Sequence, residues 1–589
     1  MSAYRFGEKL RFAEGSRGRR FLGPGWSGPE PDHCWSDGPR AVVTLPIAGR
    51  PADGAVLRIR CRGFRPRPDL PAQRVAISVN GTASGVFEAD GMAWHEARLP
   101  PGSLDGTRIS IGFEFPDAIS PARLGMSTDP RTLGITLDAL VLFEKVLPST
   151  AGAKLIGAGA DPVGDVFVAA GGSFHRAVRK GGNDVYRLAS EKGIYRKLAA
   201  AGLIPEHVFR AVDDPAYQAV ASSVTGRSVY PPKYPWLMFK DAARAWIDIN
   251  RMLHDESDGI LGLCDGHYGN FVQCDNARPK WCDIGSISAN AGALEFGFAE
   301  FVRCYMVPLA LATIPLREGF NIRQMMVHNT GGVPVADAVA EHGDALAAIG
   351  LDERHVPGGR RAALDRLADI LDGFDLKAHK GYWSGYRDAG ALERAWRGDL
   401  LAPGNDTRFA EVVRLAKACD VDAFIDIGCN DGIFSLLCSR EGMHAFGVDP
   451  DEDSIDKLYA FAKAHPATDL AISYGGFLDV EGRHPLVLLL ALTHHLALTQ
   501  KLTFSQIARK LASLSSGHVI TEFMPDGLGG TPVNPDPVPN PLPAGYTLEA
   551  FVAALQAEFG DVRVIHYDRR ADPAHMSRRI LIHCQSPRQ

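Results

Sequence analysis

The segment Phe424-Ile-Asp-Ile-Gly-Cys-Asn-Asp-Gly-Ile-Phe-Ser435 constrains this chain more than any other. An apolar strand-like run meets a turn with two glycines, and a helix-like run follows. Gly428 and Gly432 let backbone pass close to a ligand, and the first amides of the following helix point into the same space. Asp449 lies 21 residues after Gly428 and closes the next strand-like run, His444-Ala-Phe-Gly-Val448. An acid so placed accepts hydrogen bonds from both hydroxyls of a ribose. The pattern predicts a nucleotide site at the carboxyl edge of a doubly wound α/β sheet.

Dinucleotide enzymes use this geometry with Gly-x-Gly-x-x-Gly. Here the turn is Gly428-Cys-Asn-Asp-Gly432, without the crowded pyrophosphate glycines. Asp426, just before the turn, suits the cationic amine of a methionyl group better than a pyrophosphate. Asp426, Gly428, Asn430, Gly432 and Asp449 are therefore the expected contacts to S-adenosylmethionine (SAM). Asp479 follows the third strand region and faces either the adenine amino group or solvent. His494 and His495 close the next strand, and Glu522 closes the one after it. Each is a candidate to take a proton from an acceptor hydroxyl. Because methyl transfer is an in-line displacement that positioning alone accelerates, shaping the cofactor pocket is the favoured reading of the two histidines.

Strand and helix alternate through this region. Strands are expected over 423–427, 444–448, 486–490 and 518–522, with helices over 434–440, 451–465 and 504–514. A Gly/Pro-dense loop is expected over 525–543. The segments Asp426–Ser435, Asp449–Tyr459, Leu490–Leu496 and Glu522–Pro525, with Trp383–Tyr386 and Ser577–Ile582, resemble a group of bacterial class I SAM-dependent methyltransferases associated with nodulation and surface-polysaccharide clusters. The resemblance implies a Rossmann-like methyltransferase over 381–589 and leaves the acceptor open.

A second constellation lies upstream. Asp265 precedes Asn270 by five residues, and Asn270 precedes Asp283 by 13, with a hairpin-like stretch between them. This spacing resembles the catalytic and metal loops of protein-kinase-like folds, where such groups orient a hydroxyl and hold magnesium on ATP. No His-Arg precedes Asp265, Gly171-Gly172 is a weak phosphate loop, and Lys180 with Glu191 is the nearest lysine–glutamate pair. The expectation is an α+β kinase-like domain over 149–380, degenerate rather than active, with ATP and Mg2+ as its cofactors if it is active. Helical runs are expected over 185–200, 242–253, 298–307, 336–349 and 361–373.

Residues 1–148 carry short alternating runs at 41–47, 55–61, 75–79 and 109–115, separated by turns such as Asn80-Gly81. They predict an antiparallel β-sandwich. Trp26 and Trp35 sit beside acidic residues, either as stacking faces for sugar rings or as core braces. The segment resembles sandwich modules of bacterial glycan-assembly enzymes.

Composition excludes little else. Lys plus Arg is 63 against 69 Asp plus Glu, a net charge of −6, which gives no reason to expect a nucleic-acid partner. There is no apolar run long enough for a transmembrane segment and no secretory signal pattern, so a cytoplasmic location is expected. Ten scattered cysteines form no close pairs and read as buried thiols, with no metal site expected. The resulting expectation is a multidomain enzyme: β-sandwich, kinase-like domain, class I methyltransferase. It would O-methylate a glycan or glycolipid acceptor. Two alternatives stand beside it, a bifunctional kinase–methyltransferase and a catalytically silent glycan-binding scaffold.

Overall fold

The computed structural model describes all residues except 1–2, 48–50, 52–53, 105, 146–153, 157–162, 170–172, 182, 275–276, 315–319, 344–345, 347–348, 352, 354–358, 377–389, 466, 528–541, 571–577 and 589. Gly171-Gly172, Trp383–Tyr386, most of the Gly/Pro-dense stretch and part of the 336–349 run lie outside the described residues. The chain divides into two compact units, one of residues 3–14 and 18–377, the other of 378–589 with 1–2 and 15–17.

The first unit begins with two antiparallel sheets. Strands β1 (Lys9–Arg11), β2 (Cys34–Trp35), β4 (Ala55–Gly63), β7 (Ala93–Leu99) and β9 (Ile135–Glu144) form one, in the order β1-β9-β4-β7 with β2 beside β9. Strands β3 (Arg40–Pro46), β8 (Arg108–Glu114), β5 (Gln73–Val79) and β6 (Thr82–Ala89) form the other, in that order. Alternation sets which side chains turn inward. Val43 and Leu45 of β3, Ile109 and Ile111 of β8, and Leu57 and Ile59 of β4 meet in a single core.

A five-stranded antiparallel sheet follows, ordered β10 (Lys154–Ile156), β11 (Gly164–Val168), β12 (Phe174–Arg179), β14 (Tyr217–Ser223), β13 (His207–Ala211). The single helix expected over 185–200 is two, Asp184–Glu191 and Ile194–Ala200. Gly193 breaks it by adopting a left-handed conformation, φ 65°. The helix Trp236–Glu256 buries Trp246, Ile247 and Leu253. After it come β15 (Gly262–Leu263), β16 (Phe271–Cys274), β17 (Arg278–Trp281) and β18 (Ile287–Ser288), paired β15–β18 and β16–β17. The helix expected to stop before Pro308 instead runs through a π turn, Val302–Met306, into Val307–Leu311. Pro308 thus lies within a continuous helix directly after the π turn, and the Arg303 carbonyl, five residues before it, accepts the Val333 amide at 3.2 Å.

The second unit is built on a seven-stranded sheet ordered β21 (Leu470–Tyr474), β20 (His444–Asp449), β19 (Ala423–Ile427), β22 (His484–Leu489), β23 (Ser515–Phe523), β25 (Ile580–Pro587), β24 (Phe559–Ile565). The first five strands are mutually parallel, and β25 runs antiparallel to both its neighbours. One face packs on the helices Phe504–Leu514 and Leu548–Glu558 through Val519, Ile507, Leu511, Phe551 and Ile582.

One buried carboxylate ties this sheet to its other cover, the helix Thr407–Ala418. Glu522 is fully buried at the end of β23. Arg408 donates from Nε and, at 2.7 Å, from Nη2 to its two oxygens. Arg579 donates from Nη1 at 3.1 Å. The Ala491 amide, at the end of β22, donates at 2.8 Å. Removing one partner of such a cluster strands buried charge. Arg408→Ala should destabilise this unit by about 3–5 kcal/mol in urea unfolding. A loss below about 1 kcal/mol would mean that water enters and solvates Glu522.

Candidate functional site

The turn after β19 has the conformation its glycines require. Gly428 and Gly432 have φ of 75° and 81°, and Asn430 between them adopts φ 50°. A Cβ on Gly428 would meet the Leu492 side chain at 3.0 Å, and one on Gly432 would meet Leu458 at 2.6 Å. The Gly428 amide donates to the Val448 carbonyl at 2.8 Å, fixing the turn against the end of β20.

Two acids are buried at this edge. Asp449 receives the Asn430 amide on Oδ2 at 2.7 Å and the Asp451 amide on Oδ1 at 2.8 Å. Asn430 Nδ2 in turn donates to Ser454 Oγ at 3.0 Å. Asp426 receives Ser435 Oγ at 2.8 Å. Burial pushes the Asp449 carboxyl up to about 7, only partly offset by those two amides. Burial pushes Asp426 up to about 6, against the Ser435 hydrogen bond and the distant Arg408 charge. Neither acid is held in a salt bridge among the described residues. Each carboxylate keeps lone pairs for a ligand, and each gains from a positive or hydrogen-bonding one.

The structure brings Asp426, Gly428, Asn430, Gly432 and Asp449 together. Asp479 lies beyond β21 in the turn Phe477–Asp479, where its Oδ2 accepts the Gly476 amide at 2.8 Å. His494 and His495 follow β22, their ring centroids 4.1 Å apart, at the start of a short π turn. His494 is buried, and its Nδ1 has no partner among the described residues. Burial, reinforced by His495 and Arg579, pushes its imidazole down to about 2. His494 is thus a neutral and weak base. Burial alone would raise the Glu522 carboxyl, but Arg408 and Arg579 outweigh it and bring it down to about 2. That carboxylate holds the Ala491 backbone, whose φ is 53°, and so sets the path of the chain into Leu492 and His494. Sequence reasoning missed Arg408, Arg579 and Ser435. Arg408 carried no signal of its own, since the same helix also bears Glu411, Arg414 and Lys417, and only the structure shows Arg408 on the buried face.

In the first unit, the β16–β17 hairpin interrupts β15 and β18, and so brings Asp265 and Asp283 to one end. Asn270 Nδ2 donates to Asp265 Oδ2 at 2.8 Å, and the His267 amide donates to its Oδ1 at 3.0 Å. The Asn270 carbonyl accepts the Cys282 amide at 2.8 Å. Asp283 is paired with Arg176 of β12 at 2.5 Å. Lys180 and Glu191 are both exposed and form no ion pair with one another. The cation that faces Asp283 is therefore Arg176, four residues before Lys180, on the inward face of β12.

Trp26 packs edge-on against Phe113 at 5.5 Å and Phe115 at 6.4 Å, with Nε1 donating to the Val42 carbonyl at 2.9 Å. That contact set makes it a core brace. Trp35 is half-buried, edge-on to Phe64 at 5.7 Å, with the Arg62 guanidinium over its ring.

No protein-family model matches the chain, and no curated protein matches it. Among solved structures, the bifunctional kinase–methyltransferase WbdD is 20% identical over 33% of this chain and 42% of its own, with a TM-score of 0.25. A magnesium protoporphyrin IX methyltransferase of Synechocystis with bound SAH (S-adenosylhomocysteine) is 17% identical over 35% of this chain and 98% of its own, TM-score 0.25. The N-terminal domain of EvdMO1 with bound SAH is 18% identical over 32% and 84%, TM-score 0.23. The chain spans less than half of the WbdD polypeptide.

The raised carboxyl of Asp449 has a pH signature. Its folded-state value, about 7, exceeds the ordinary 3.8, so its contribution favours the fold below 3.8 and is lost as pH rises through 7. Asp449→Asn should gain stability over the native protein as pH climbs from 4 to 7, by up to about 1.4 kcal/mol per unit. Urea midpoints read by pulse proteolysis would measure this, and parallel pH profiles for the two proteins would contradict it.

Proposed function

We propose that residues 381–589 form a SAM-dependent methyltransferase acting on an oxygen of a surface glycan or its precursor. The observation that carries this reading is Asp449. It is a buried acid, with no salt bridge among the described residues, at the carboxyl end of β20, and it accepts the Asn430 amide of the Gly428–Gly432 turn. The antiparallel β25 also separates this sheet from the dinucleotide-binding order, which has six parallel strands.

The residues fit the cofactor. Asp449 would accept the ribose hydroxyls, Asp426 would face the methionyl amine, and the Gly428–Gly432 backbone would lie along the ligand. When bound, SAM supplies an electrophilic methyl group, and the acceptor hydroxyl loses its proton as the new C–O bond forms. Neither His494, a weak base, nor Glu522, held by two guanidiniums, suits that proton. Both are read as positioning residues. Orientation of the acceptor would supply most of the rate.

The kinase-like segment, 149–380, is read as silent. Arg176 already neutralises Asp283, where a metal would need an unpaired carboxylate. Residues 1–148 are read as a sandwich that binds the acceptor, with Trp35 rather than Trp26 offering a ring to it.

Asp449→Ala and Gly428→Val should each abolish SAM binding in calorimetry, the first by removing two acceptors and the second by filling the turn. Unchanged affinity in both would sink the methyltransferase reading. Intact SAM affinity with no methylated product from labelled glycan extracts would favour the silent scaffold. The full chain should show no ATP turnover above background. Turnover that disappears in Asp283→Ala would install the bifunctional reading instead.

A further inference from the structure

The helix Thr407–Ala418 ends at Cys419, whose side chain is buried against the sheet. His518 of β23 and His583 of β25 lie on the face beneath it. The register pairs His518 with Gln585 and Ile520 with His583, so the two histidines are diagonal neighbours on one side of the pleat. Cys419 Sγ is 3.5 Å from His583 Nε2, and His518 Nδ1 is 3.3 Å from the same nitrogen. The three atoms all lie within 4.8 Å of one another. These residues come from distant parts of the chain and touch neither Asp426 nor Asp449.

The separations have a specific meaning. Zinc bonds sulfur at about 2.3 Å and imidazole nitrogen at about 2.0–2.1 Å in tetrahedral geometry. Such bonds place two nitrogens about 3.3 Å apart, and sulfur about 3.5 Å from nitrogen. Sulfur to His583 Nε2 and His518 Nδ1 to His583 Nε2 match those two values, the third atom pair lies within 4.8 Å, and the set holds no acid to favour a harder cation. One thiolate and two imidazoles match a borderline metal. We propose that Cys419, His518 and His583 form a zinc site, with solvent as fourth ligand, that staples the end of the Thr407–Ala418 helix to β23 and β25.

Burial pushes the Cys419 thiol up to about 12, so it is protonated without metal. Binding forms one Zn–S bond and releases that proton to solvent, which leaves a singly negative ligand against the doubly positive ion. The rings lie 23° from parallel, and capture of the ion turns each about its Cβ–Cγ bond. Asp561, which the register places beside Gln585 on the same face, is paired with Arg563 at 2.6 Å.

Cobalt titration of the untagged full-length protein, stripped with chelator, tests the site. The expected result is one saturable equivalent with a thiolate-to-cobalt charge-transfer band and the strong visible bands of tetrahedral Co2+, displaced by zinc. Cys419→Ser should lose the charge-transfer band, and His583→Asn should bind at least about tenfold more weakly. Chelation should lower the melting temperature of the wild type and leave that of Cys419→Ser unchanged. Because His518 is partly exposed, His518→Gln supplies a variant that folds if the others do not, and it too should weaken binding. Absence of a saturable equivalent in the folded wild type overturns the proposal. So does a cobalt spectrum identical in wild type and Cys419→Ser.

Discussion

The ion cluster at Glu522 organises the second unit. A fully buried carboxylate is costly unless each lone pair is used. Here two guanidiniums and one amide use them. The consequence reaches three parts of the chain. Arg408 fixes the start of a covering helix, Arg579 fixes the approach to β25, and the Ala491 amide fixes the exit from β22. Ala491 has positive φ, a conformation that a residue with a Cβ adopts at some cost. Glu522 holds it there, and Leu492 is thereby set against Gly428. That acid, at the end of its strand, is saturated by partners from three other segments of the chain.

How much was legible in the sequence follows from the range of each interaction. The Gly428–Gly432 turn and the acid at 449 were readable because adjacent strands of a parallel sheet return to the same edge at short, regular spacing. The strands at 423–427 and 444–448 were readable for the same reason, from compact apolar runs. Strands β24 and β25 were not, because their burial is uneven and their pairing is antiparallel within an otherwise parallel rhythm. Arg408 and Glu522 are 114 residues apart, and no local periodicity carries information over that distance. The cysteines read as isolated buried thiols, and eight of the ten are buried. Cys419 meets histidines 99 and 164 residues downstream, which only the sheet register reveals.

The Asp265–Asn270–Asp283 constellation shows the complementary case. Spacing identified the residues and the hairpin between them. It did not identify what they bond to. Arg176 sits on a different sheet, and its ion pair changes the meaning of Asp283 from an open ligand to a satisfied acid. The bonds that such residues make depend here on one cation from elsewhere in the fold. Trp26 makes a similar point, since its indole nitrogen donates to the Val42 carbonyl and its ring packs on Phe113 and Phe115.

The position of β25 also bears on how the second unit assembles. The strand formed by residues 580–587 lies between β23 and β24, although both precede it in sequence. Until it arrives, β23 has an open edge and β24 has no partner in the sheet. On a ribosome, the parallel part of the sheet can collapse early, but β24 must wait for the segment that follows it. Arg579, immediately before β25, arrives at the same moment and completes the neutralisation of Glu522. Closure of the sheet and discharge of its buried acid are thus one late event, governed by long-range pairing rather than by local structure.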